Sequence, residues 1–123
     1  MKRHRRSAAA VLEKARSGGY AVGAFNVSSF SVLKAIIQAA PRLRSPVIIE
    51  TSSGETEFMG AAVQAAMLKI MERQAGIPIL ANLDHAKTYE AVKTAMDAGY
   101  EMLHFDGSEL PKTTNLRILS RIV

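Results

Sequence analysis

Asp84 and His85 adjoin each other at the polar end of the apolar run Pro78 to Leu83, and of all the residues in this chain they are best suited to chemistry. A carboxylate can take or give a proton and a neutral imidazole can ligate a divalent metal, so the pair suits metal-assisted proton transfer. Each residue also has a plainer reading. His85 can be a loop histidine bonded to backbone, and Asp84 a helix cap placed one turn early.

A rhythm of elements positions the pair. Val22 to Val27, Pro46 to Ser52, Pro78 to Leu83 and Glu101 to Asp106 are short apolar runs with polar C-terminal ends, each followed by a helical stretch. Near-continuous apolar strands separated by helices predict a parallel sheet covered by helices. In such folds ligands gather where the carboxyl ends of the strands meet their loops. Those ends read Asn26, Ser52-Ser53, Asp84-His85 and Asp106-Gly107-Ser108, so four successive units bring polar groups to one rim.

The helix signals are local. Ser7 caps a first helix reaching about Arg16, and Gly18-Gly19 ends it. Ser28 or Ser29 caps the next, in which Val32, Leu33, Ile36, Ile37 and Ala40 form a sheet-facing stripe. Pro41 predicts an end or a kink at Ala40. Glu55 and Glu57 read as acidic residues ahead of an Ala- and Met-rich helix from about Ala61 to Gln74, where Met67 and Met71 are core packing. Thr88 and Gly99 bracket a helix from Tyr89 to Ala98, and a last one starts near Thr113 or Thr114 with Leu116, Leu119 and Ile122 inward.

Composition excludes several classes. The net charge of +5 is concentrated in Lys2, Arg3, Arg5 and Arg6, which leaves +1 over the rest. Residues 1–6 are therefore a basic tail, and with no interleaved aromatics or recognition helix the chain is not expected to bind nucleic acid. The absence of cysteine rules out disulfides and thiolate metal sites, so a bound metal would use histidine and carboxylate. No apolar run is long enough for a membrane span. Glu13 and Lys14 interrupt the apolar stretch after Ala8 too soon for a signal peptide, and the expected location is the cytoplasm.

Five segments, in this order and spacing, resemble the class II, zinc-dependent ketose-bisphosphate aldolases. They are Gly18 to Val27, Ser45 to Ile49, Leu83-Asp84-His85, Ala98-Gly99-Tyr100 and Asp106-Gly107-Ser108-Glu109-Leu110-Pro111. The Glu50 to Glu55 segment and Asn82 to His85 look closer to smaller branches of that family than to its glycolytic members. The resemblance implies an α/β fold of parallel (β/α) units, the first four of a TIM-type (β/α)8 barrel, preceded by an N-terminal helix that covers the barrel bottom. It implies Asp84 as the catalytic acid/base and His85 as one of three histidine ligands to Zn2+. Asn26 and Ser52 would bind substrate, with Ser53 as the alternative register. Asp106 would orient a metal-bound imidazole; its plainer reading is a turn residue before Gly107, as Asn26's is a turn former. His104 stands where the family usually has an aliphatic residue or Met, and strand alternation points it deeper into the barrel as a buried, hydrogen-bonded histidine.

A complete barrel of this type takes about 250 residues, against 123 here. Residues 7–123 thus read as the N-terminal half of such a barrel, either a portion of the enzyme or a non-catalytic half-barrel that associates with another chain. The implied reaction cleaves a ketose 1,6-bisphosphate, of fructose or tagatose type, to dihydroxyacetone phosphate and a phosphorylated aldehyde. The implied partners are a small sugar phosphate and either further copies of this chain or the missing barrel half. The other two zinc histidines and most phosphate-binding backbone belong to later units, so this chain alone is expected to be inactive.

Overall fold

In the computed structural model, which describes residues 7–123, four strands pair in parallel in the order β1 (Gly23–Asn26), β2 (Val47–Ser52), β3 (Ile79–Ala86) and β4 (Met102–Phe105). The basic tail, residues 1–6, lies outside the described residues. Between and around the strands run α1 (Ala8–Ser17), α2 (Phe30–Arg42), α3 (Ser53–Met59), α4 (Ala61–Ala75), α5 (Tyr89–Ala98) and α6 (Lys112–Ile122). No helix among the described residues is long and apolar enough to cross a membrane.

Each face of the sheet has its own destination. Val47 and Ile49 of β2, with Ile79, Ala81 and Leu83 of β3, meet Leu33 of α2, Ala65 and Leu68 of α4, and Val92 and Ala95 of α5 in the main core. Burying one such aliphatic side chain contributes about 1.5–3 kcal/mol, so this layer fixes the sheet against its helices. On the opposite face Ile48 and Leu80, level with each other, pack on Val11 of α1. The leading helix thus closes the lower end of that face, as expected.

Above that apolar floor the inner face turns polar in layers. Asn26, Glu50 and Asn82 are level on adjacent strands, and Asn82 Nδ2 donates to Glu50 Oε1 at 2.9 Å. One step higher Ser52 is level with Asp84.

Four details differ from the sequence expectations. Pro41 does not end α2 at Ala40; the helix continues to Arg42, because in the last turn a missing N–H costs one bond and Leu43 N–H still reaches the Ala39 and Ala40 carbonyls. Helix α3 was not expected. It starts at a capping box in which Glu55 N–H donates to Ser52 Oγ (3.2 Å) and Ser52 N–H donates to Glu55 Oε2 (2.8 Å). In α6 the expected stripe is only partly covered: Leu116 and Leu119 are 55% and 37% exposed, while Ile122 packs on the core. Asn115 Nδ2 donates to Gly107 O and the Arg121 guanidinium lies 3.8 Å from the centroid of Tyr89, so the helix docks on the loop after β4 and on α5.

The fourth difference concerns β3, which continues past Leu83 through Asp84 and His85 to Ala86. Leu83 is level with Leu103 and Ala86 with Phe105, so two residues of β3 stand opposite the single residue His104. This is a β-bulge, rare between parallel strands. His85 absorbs it with a left-handed backbone, φ 49°. Without the bulge, alternation would send Asp84 inward and His85 toward the helices. With it, both turn inward and Ala86 returns to the main core.

The left-handed conformation reverses ordinary strand preference. A β-branched residue normally outranks glycine in a strand, but valine at φ 49° pays about 1–2 kcal/mol. His85→Val is expected to be less stable than His85→Gly by about 1–2 kcal/mol in urea unfolding; valine proving the more stable would refute the bulge.

Candidate active site

Four side chains from β3, β4 and the loops after them converge above the inner face. Asp84 Oδ1 lies 3.2 Å from His104 Nδ1 and 3.7 Å from His85 Nε2. The two imidazole rings are tilted against each other with centroids 4.4 Å apart. His85 Nδ1 donates to Asp106 Oδ2 at 3.0 Å, which turns the other ring nitrogen toward Asp84.

Asp106 is the anchor of this group. Lys87 Nζ donates to its Oδ2 at 2.7 Å, and Ser108 donates to its Oδ1 through both the backbone N–H (3.0 Å) and the hydroxyl (2.6 Å). The Lys87 ammonium, then Ser108, then His85 hold the Asp106 carboxyl far below the usual carboxylate range. The same bond raises the Lys87 ammonium above its ordinary value. Asp106 therefore remains an anion that accepts from His85 and fixes that ring's orientation.

The loop carrying Asp106 is fastened from α6. Asn115 Nδ2 donates to Gly107 O at 3.1 Å, and a Cβ at Gly107 would lie 2.6 Å from Asn115 Cγ. Only glycine admits the amide this closely.

The expected site residues divide into two groups. Asp84, His85 and Asp106 meet within hydrogen-bond or near-contact range, and Ser52 stands level with Asp84 on the neighbouring strand. Ser52 Oγ accepts from Glu55 N–H and so serves α3 as its cap, while its own O–H remains available to donate. Asn26 is exposed on the inner face of β1, two strands from Asp84 and one layer below it. A cleft of about 710 Å³ lies between α3 and α5 at the ends of β2 and β3; Ser52, Asp84 and His85 reach it, but Asn26, His104 and Asp106 do not line it.

Three residues at this site were not foreseen in their roles. His104 is not a buried residue deeper in the fold; its side chain is 48% exposed at the rim, where the pairing of Leu83 with Leu103 sets it beside Asp84, and the bulge adds His85. Lys87 has no role in the sequence expectations, and Ser108, placed on the rim, has none as a donor, although Asp-Gly-Ser is a turn signature in which the aspartate accepts from the residue two positions on. Beneath the rim a buried network was also unread: Tyr100 OH donates to Gln64 Oε1 at 2.7 Å, and Thr51 Oγ1 lies 2.9 Å from Thr56 Oγ1. A glutamine inside the apolar stretch of α4 was its one sequence signal.

Residues 6–123 match the family model described as "Fructose-bisphosphate aldolase class-II". The chain belongs to that family. Its sequence is 39% identical to the fructose-bisphosphate aldolase of Helicobacter pylori over 114 residues, which is 92% of this chain and 37% of that protein. It is 34% identical to a 6-phospho-5-dehydro-2-deoxy-D-gluconate aldolase of Bacillus licheniformis over 118 residues, 92% of this chain and 40% of that one. A crystal structure from Coccidioides immitis, described as a fructose-1,6-biphosphate aldolase, superposes with a TM-score of 0.86 at 29% identity, over 98% of this chain and 47% of that chain. The parallel strand-helix layer of this class II aldolase chain is thus a partial TIM-type fold. The chain spans about two fifths of the length of the curated relatives it matches.

Gly107→Ala is expected to displace the Asn115 amide and cost about 1–3 kcal/mol in chemical denaturation. Adding Asn115→Ala should recover part of that loss, since the clash is with the amide itself; strictly additive losses would show that the close approach does not hold the loop.

Proposed function

We propose that this chain forms the N-terminal barrel half of a class II aldolase that cleaves a ketose 1,6-bisphosphate, of fructose or tagatose type, to dihydroxyacetone phosphate and a phosphorylated aldehyde. One observation carries the reading: Asp106 holds His85 by Nδ1, so that Nε2 faces outward beside the Asp84 carboxylate at 3.7 Å. That is how a metal-ligating histidine is usually oriented, with its far nitrogen bonded to a carboxylate. The donor set also fits a borderline divalent ion, since His85 offers imidazole nitrogen and the chain has no cysteine.

In this reading His85 is one ligand to Zn2+, and the remaining ligands come from later barrel units. A bound Zn2+ supplies Lewis-acid polarisation of the substrate carbonyl. Asp84 accepts the proton of the C4 hydroxyl as the bond between C3 and C4 breaks; the aldehyde carbonyl forms at C4, the C3–C4 electron pair passes into the C2 carbonyl, and C3 then takes a proton from an acid of the later barrel units. Ser52 donates its free O–H toward a substrate oxygen, and Asn26 supports the substrate from a layer below. The partners are a sugar phosphate and the remaining barrel units, supplied within one polypeptide or by association.

The test joins this chain to the later barrel units of the Helicobacter pylori relative and follows ketose-bisphosphate cleavage in the presence of Zn2+. The joined protein should turn over, and Asp84→Asn should lower kcat by about 10²–10⁴-fold with little change in KM. The 123-residue chain alone should give no cleavage above a metal-only blank. Cleavage by the chain alone, or an Asp84→Asn protein that retains its kcat, would overturn the assignment.

A further inference from the structure

We propose that Asp84, His85 and His104 form a three-ligand site for a borderline divalent transition ion, complete within this chain and distinct in its ligand set from the one completed by later barrel units. The inference shares His85 with the functional reading above and goes beyond it in giving His104 and Asp84 direct bonds to the ion.

The geometry is the argument. One donor atom from each of the three residues lies within 4.8 Å of the other two. Zn2+ takes nitrogen and oxygen ligands at about 2.0–2.2 Å in a tetrahedron, so two donors on one ion stand about 3.3 Å apart. Asp84 Oδ1 to His104 Nδ1 is already 3.2 Å, and Asp84 Oδ1 to His85 Nε2 is 3.7 Å. Without metal, the neutral His104 ring donates its single N–H from Nδ1 to the carboxylate; ligation through Nδ1 takes the other tautomer, with that proton on Nε2. His85 needs only a small ring shift, and its rear nitrogen stays on Asp106.

The surroundings suit a cation of this class. Lys87 is paired with Asp106, so the anion left to face an ion is Asp84. All three side chains are partly open to solvent, at 30% for Asp84, 60% for His85 and 48% for His104, which leaves a fourth position for water. Two imidazoles and one carboxylate favour Zn2+ over Mg2+ or Ca2+, which demand six or more oxygens. The site depends on the bulge, because a regular β3 would place His85 on the other face.

An ion held this way occupies the carboxylate that must accept the substrate proton. Asp84, His85 and His104 would therefore hold the ion only in a state in which Asp84 is not serving as the base. A site containing His85 alone would have no such capacity in this chain.

The experiment titrates Zn2+ into the 123-residue chain against a chromophoric chelator, with Co2+ substitution to read tetrahedral coordination from the visible spectrum. One equivalent should bind. His104→Met and His85→Ala should each weaken binding at least about ten-fold, and Asp106→Asn by about 10–100-fold. His4→Ala, which removes the remaining histidine of the chain's three, should change nothing. Circular dichroism and the thermal midpoint of each variant, taken without metal, separate lost ligation from lost folding. Absence of stoichiometric binding, or His104→Met binding as tightly as the parent, overturns the proposal. If His104→Met is silent while His85→Ala is not, the three-ligand site falls and His85 as metal anchor stands. If His85→Ala is silent, both fall.

Discussion

One extra residue in β3 is the constraint on which the site depends. Strand alternation forbids neighbouring side chains from sharing a face, yet Asp84 and His85 must do so if one is to take a proton beside a metal held by the other. The bulge against His104 removes the conflict by giving two residues of β3 a single partner on β4. Its cost is a histidine backbone in the left-handed region. Such strain persists only where the surrounding structure holds it, and here Leu83 and Ala86 are locked into the main core on either side.

The rest of the fold supports that local departure. Val11 of α1 closes the bottom of the inner face with Ile48 and Leu80, so the polar layers above rest on a dry floor. The Thr51, Thr56, Gln64 and Tyr100 network ties β2, α3 and α4 together beneath the rim with its polar groups paired. A satisfied buried network of this kind rigidifies what it connects. From the far side, α6 reaches back through Asn115 to hold the Asp106 loop, and Asp106 in turn orients His85. The chain of restraint thus runs from the last helix to the His85 ring through two side chains.

The strand-helix alternation was legible because parallel strands buried on both faces leave apolar runs that need no partner to be recognised. The rim residues Ser52, Asp84, His85 and Asp106 followed from the polar ends of those runs. The bulge was not legible: nothing in Leu83-Asp84-His85-Ala86 announces an extra residue, since its evidence is the count of residues on β4. Helix α3 was short and carried Gly54 and Thr56, poor helix formers, but Ser52 and Glu55 stood at capping-box spacing and announced it. In α6 the stripe of Leu116, Leu119 and Ile122 was legible, and of these three only Ile122 finds core to pack against among the described residues.

Membership of the class II aldolase family rests on a match along nearly the whole chain, while the chemistry depends on where two adjacent side chains point. A nuclear Overhauser experiment on the labelled chain reads this directly. The bulge predicts cross-peaks between the ring protons of His85 and His104, whose centroids are 4.4 Å apart. Cross-peaks from the His85 ring to Val92 and Ala95 of α5, with none to His104, would show a regular strand and contradict it.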